Sequence, residues 1–192
     1  MAELLRQYLR IAFLAGRPQD LPGGAAQMRV GLALAAVTYL LAMATPVGLG
    51  RAGVHLLLDL GCTALALRTA LAFVGRPGRF EQAFGGLCGA SAVVNTAAVP
   101  VYASHPAFAG AEASDATLIA GFALLVWSLS VLAHVLRHTF EIRLATSVGA
   151  AFVWVVVIVG VLDAVVPPPA PPTAVPDPYG ALVPERPPGA VL

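Results

Sequence analysis

Asp59 is where any chemistry in this chain would begin. It is a carboxylic acid set in an apolar stretch, Ala52 to Gly75, with His55 one helical turn before it on the same face and Asn95 in the next apolar stretch. An ionisable side chain in hydrocarbon costs at least a few kcal/mol unless it is paired, so Asp59 is expected to face the interior of a helix bundle. A carboxyl, an imidazole and a carboxamide at one depth can form a hydrogen-bonded cluster that holds a ligand or passes a proton. The same three groups can equally do no more than fasten helices together.

Two further histidines, His134 and His138, stand four residues apart, the spacing that lets two imidazoles share a metal from one helix. The segment reads His134, Val135, Leu136, Arg137, His138, so the glutamate of a zinc protease's HExxH is missing and two ligands do not complete a site. Metal or haem ligation there stands beside a plain anchoring role next to Arg137. Gly48, Gly50 and Gly53 spell GxGxxG, which holds a dinucleotide only between a strand and a helix. Here it follows a long apolar run and reads as a hairpin between two helices. No serine sits in a nucleophile elbow and no carboxylate pair is placed for hydrolysis, so no catalytic residue and no cofactor are assigned.

The elements that must position these residues are set by composition. Of 192 residues, 58% are hydrophobic and 11% charged, with mean hydropathy +0.83. A soluble domain carries roughly 25% charged residues, so this chain belongs in a lipid bilayer. The net charge of +1 and the lack of a basic cluster argue against nucleic acid as a partner. Cys62 and Cys88 lie in apolar stretches and read as small buried hydrophobes. Glu3 and the short apolar run Ile11 to Ala15 do not make a signal peptide.

A helix needs about 20 apolar residues to cross the hydrocarbon core. Stretches poor in charge predict five crossings: Val30 to Gly50, Ala52 to Gly75, Gln82 to about Val101, Ala116 to Leu136 and Leu144 to Leu162. The third is expected to give way to a loop at Pro100 and Pro106, and that loop, Tyr102 to Asp115, carries Glu112 and no arginine. At 1.5 Å per residue, Asp59 falls about 10 Å below the outer end of the second span and Asn95 about 20 Å from the inner end of the third. The fold class is therefore an all-α polytopic membrane helix bundle with five transmembrane helices.

Orientation follows from the arginines. With the N-terminus inside, Arg6, Arg10, Arg17, Arg29, Arg76, Arg79, Arg137 and Arg143 lie on the cytoplasmic side. Only Arg51 and Arg186 lie outside, and Arg68 is close enough to the inner interface to snorkel. The arginine-only, alanine-rich composition is also typical of GC-rich bacterial genomes. The expected address is thus a bacterial inner membrane, with the N-terminus cytoplasmic and the C-terminus periplasmic.

Three regions follow. Residues 1–24 comprise an amphipathic helix and a connector broken by Gly16, Pro18, Asp20, Pro22, Gly23 and Gly24; residues 25–166 form the bundle; residues 167–192, where ten of the 16 prolines fall, are expected to be a disordered tail. From Leu4 to Ala15, apolar residues recur at helical spacing opposite Glu3, Arg6, Gln7 and Arg10. That helix either lies on the membrane surface with Arg6 and Arg10 toward anionic headgroups, or caps the bundle. Gly85 and Gly89 form a GxxxG on the third span, suited to close packing within the bundle or to association with a second copy or another membrane protein. Trp127 and Trp154 read as packing residues.

Five spans, the segment Pro18, Gln19, Asp20, Leu21, Pro22 and the stretch from Trp127 to His138 with its Ala-His-Val-Leu-Arg-His ending resemble small uncharacterised five-span inner-membrane proteins of proteobacteria. Those are in turn similar to the YIP-domain family. The resemblance covers residues 4 to 166 and implies the five-span topology. Eukaryotic YIP members are linked to small GTPases through an Asp-Leu-Tyr-Gly-Pro type motif, which is missing here, so no GTPase partner carries over. The thin catalytic inventory points first to a non-enzymatic scaffold or assembly factor of the membrane. The alternatives are a small transporter or channel-like protein built on the Asp59 cluster, and a metal- or haem-binding subunit using His134 and His138.

Overall fold

The computed structural model describes residues 1–103 and 115–166. The loop at 104–114 and the tail at 167–192, on which the loop and tail readings fall, lie outside the described residues. The described chain is helical throughout: α1 (Ala2–Ala12), α2 (Ala25–Val47), α3 (Leu49–Phe73), α4 (Phe80–Ala103), α5 (Asp115–Phe140) and α6 (Leu144–Val165). The last five are each long and apolar enough to cross a membrane, which makes this a multi-pass membrane protein.

Helix ends move where charge was read as a stop and is not. α2 begins at Ala25, because Arg29 sits exposed within its first turns with its charge free to reach water. α5 runs a turn beyond Leu136 through Arg137 and His138, and stops at Glu141, whose φ of 57° lets the Ile142 N–H bond back to the Arg137 carbonyl. α4 continues through Pro100 to Ala103, since a proline so near the helix end removes one bond from a turn that is already fraying. α1 stops at Ala12 and turns at Leu14, which has φ 60°, earlier than the expected Ala15. Gly48, with φ 81°, makes the tight hairpin between α2 and α3, so the GxGxxG glycines belong to a junction between two helices.

The bundle is built around α4. Every residue from Ala83 to Ala90 is buried, whereas α6 is largely exposed. α2 and α4 make the closest contact, backbone to backbone: a methyl group on Gly31 would lie 2.5 Å from the Gly85 carbonyl oxygen, and one on Gly85 would lie 2.8 Å from Met28 Cα. In lipid, where apolar surface gains little by association, such small-residue approach is the main source of helix packing. α3 and α6 meet each other and α4 only sparsely.

α1 presents three sectors. Tyr8, Ile11 and Ala12 are buried against α4; Leu5, Leu9 and Phe13 form an exposed apolar stripe; Glu3, Arg6 and Arg10 are exposed on the remaining side. The helix is thus packed on the bundle, and Arg6 and Arg10 point away from it.

Candidate functional site

Where α3 and α6 stand off from α4, the bundle forms a partly open cavity of about 320 Å³. Asp59 and Asn95, expected at a common depth, both line it. Asp59 lies ten residues into α3, about 15 Å from its start, because α3 begins at Leu49 rather than Ala52. Around them come Tyr39 from α2, Thr63 from α3, Cys88 and Ser91 from α4 and Ser128 from α5. The rest of the wall is apolar, including Leu56, Leu87, Leu132, Trp154 and Ile158. Among the described residues, no arginine or histidine lines this space, and Asp59 makes no hydrogen bond or ion pair.

The expected three-residue cluster is therefore only partly assembled. His55 is half-buried on α3 but does not line the cavity, its Nε2 has no partner, and no hydrogen bond joins His55, Asp59 and Asn95 among the described residues. A helix turns 100° per residue, so four residues leave a 40° offset, enough to place His55 beside the cavity wall instead of in it. Thr63, Ser91, Ser128 and Tyr39 were not singled out from the sequence, and Cys88 was read there only as a small buried hydrophobe. Helical spacing from Asp59 to Thr63, and from Asn95 back to Ser91 and Cys88, is the signal that finds three of them.

His134 and His138 serve a different purpose. Their rings pack edge to face at 4.5 Å, and the His134 Nε2 lies 2.7 Å from the Gly16 carbonyl oxygen just past the end of α1. The Gln19 side chain donates to the His138 carbonyl. One face of α5, Trp127, His134 and His138, receives the N-terminal segment. Trp127, read as a packing residue, also donates from Nε1 to the Ala12 carbonyl at 2.8 Å. Of the orphan carbonyls at the end of α1, that of Ala12 is satisfied by the α5 side chain, while those of Leu9, Arg10 and Ile11 accept from the backbone N–H groups that follow. Among the described residues no group of three His, Cys, Asp or Glu could hold a metal ion, so no third ligand joins the two histidines.

The same segment is tied to α2 and α4. Tyr8 donates its hydroxyl to the Gln27 carbonyl at 2.6 Å, and burial pushes the phenol up to about 12, which keeps it a donor. Gln82 donates to the Leu21 carbonyl at 2.9 Å and Gln27 to the Glu81 carbonyl at 2.7 Å. The Tyr8 ring lies directly on Gly89, and Gln27 and Met28 lie on Gly85. The Gly85–Gly89 stripe, considered for self-association, is buried within the chain.

At the same end, Glu141 accepts from Arg76 and Arg79, both at 2.7 Å, and Arg79 also donates to the Thr139 carbonyl at 3.1 Å. Arg79 and Arg76 hold the Glu141 carboxyl below the usual carboxylate range. Arg68 lies over the Phe80 ring at 5.9 Å. No family model, curated protein or solved structure matches this chain, so the resemblance to YIP-domain proteins gains no support from them and function is read from the geometry alone.

Proposed function

We propose that this protein is a non-enzymatic, multi-pass inner-membrane protein that binds a small molecule within the bilayer at Asp59, in the manner of a small transporter or channel-like protein. One observation carries the reading. A carboxyl group in the middle of a span opens into a cavity furnished with hydroxyl and amide groups from four helices, without a counter-charge of the protein's own among the described residues. A polar residue retained only to fasten helices would be hydrogen-bonded across an interface. A cavity of this size lies at the small end of ligand pockets, which span roughly 300–1,000 Å³ and combine apolar walls with a few polar groups.

This reading is preferred to the scaffold suggested by the thin catalytic inventory, because the small-residue stripe on which self-association would rest is already covered by α1 and α2. It is preferred to metal or haem binding because the His134 ring is engaged by the Gly16 carbonyl. The arginine distribution supports a cytoplasmic N-terminus, which reporter fusions after Arg79 and after Pro188 test: opposite sides are expected, and the same side for both overturns it. For the activity, the chain is reconstituted in liposomes and its ion and small-cation flux compared with that of Asp59→Asn. A difference between the two supports the proposal, and equal flux from both refutes it.

A further inference from the structure

A second hollow lies on the lipid-facing side of the bundle. It is a groove of about 550 Å³ between α3 and α6, lined by small and apolar side chains such as Cys62 and Ala66 from α3 and Gly149 and Ala150 from α6. Its floor is Trp154 and Ile158, and these two residues also line the Asp59 cavity. Two side chains of α6 therefore separate the cavity from a groove that opens to the lipid. The seam they close is also one of the loosest in the bundle, since α3 and α6 meet only sparsely.

We propose that the ligand is a membrane-dissolved amine with a single apolar body, and that it reaches Asp59 sideways from the lipid, between α3 and α6 and past Trp154 and Ile158. The inference rests on the binding reading given above and adds its ligand class and its route. The class follows from charge. In a low-dielectric cavity a carboxyl ionises only with a cation beside it, and none of the described lining residues supplies one. A protonated amine does, with Asn95, Ser91 and Ser128 available for its remaining hydrogens. An apolar body matches the rest of the wall and partitions into the bilayer, where the groove opens. The route follows from depth, because Asp59 lies about 15 Å from the start of α3, whereas the groove is separated from its cavity by one layer of side chains.

The test uses the full chain in phosphatidylcholine vesicles, with octylamine brominated on its tail as the probe and the matching bromo-alcohol as control. Stopped-flow quenching of indole fluorescence is recorded, and the part lost in Asp59→Asn reports occupancy of the cavity. Gly149→Phe fills the groove at a position where an added Cβ meets nothing within 4 Å, and Ala150→Phe is a second plug should the first give little folded protein. Either plug is expected to slow the Asp59-dependent signal by about tenfold or more and to leave its final amplitude unchanged. Unchanged rates in the plugged variants, with the Asp59-dependent amplitude intact, overturn the lateral route and leave the Asp59 site standing. Equal quenching by amine and alcohol, with no Asp59-dependent part, overturns the ligand class and the binding reading together.

Discussion

Gly89→Ala should undock the N-terminal helix, and the cost can be worked from one contact. A methyl group at position 89 would lie no more than 2.5 Å from the Tyr8 ring, whose residue is 1% exposed and whose hydroxyl is held by the Gln27 carbonyl at 2.6 Å. The ring has nowhere to go without leaving that bond. Overpacking of this kind costs about 1–3 kcal/mol, which raises the undocked population roughly 5- to 150-fold. Trypsin cleavage after Arg10 in mild detergent reads that population, and thermal unfolding reads the stability. The effect should differ in the Tyr8→Ala background. There the space is vacant, and alanine exceeds glycine in a helix interior by about 0.5–1 kcal/mol, so Gly89→Ala should become neutral or stabilising. A change of sign between the two backgrounds is the expected result. The same destabilisation in both would show that the Tyr8 ring is not what Gly89 accommodates.

Tyr8→Phe keeps the ring and loses only the hydroxyl bond to Gln27, and should cost about 0.5–1.5 kcal/mol by thermal unfolding; no loss would show that bond to be idle. His134→Ala should raise trypsin cleavage after Arg10 several-fold by freeing the Gly16 carbonyl and loosening the N-terminal segment, while leaving the metal content of the purified protein unchanged; loss of a stoichiometric metal would restore the ligand role of the histidines. Glu141 is a depressed carboxylate, so its ion pairs with Arg79 and Arg76 contribute fully above the ordinary carboxylate range and are lost as pH falls through the lowered value. The native chain should therefore lose stability on acidification more steeply than Glu141→Gln. Superimposable pH profiles would show the clamp to be without effect.

The spans were legible because a bilayer imposes a length that apolar runs must meet, and only their ends shifted, at residues such as Arg29 and His138 whose charge can reach the surface. The shared depth of Asp59 and Asn95 was legible for the same reason, since rise per residue converts sequence position into depth. Docking of the N-terminal helix was legible only as one of two readings, and the bonds that hold it were not. Its bonds run from side chains to backbone carbonyls, Trp127 to Ala12, His134 to Gly16, Gln82 to Leu21 and Tyr8 to Gln27, and every residue has a carbonyl, so no pairing of residue types marks them. The glycine stripe showed that something approaches α4 closely without showing what. The two segments that carried the family resemblance, Pro18 to Pro22 and Trp127 to His138, meet in the fold, Gln19 against His138.

Whether Asp59 binds a ligand or only fastens helices is decided by equilibrium binding of radiolabelled octylamine to the full chain in mild detergent. Saturable binding at one site per chain is expected, weakened about tenfold or more in Asp59→Asn while the unfolding temperature stays level or rises, since a lone intramembrane carboxylate is a cost to the fold. Equal binding by both proteins, or an Asp59→Asn variant that loses its fold along with its binding, would contradict the binding role.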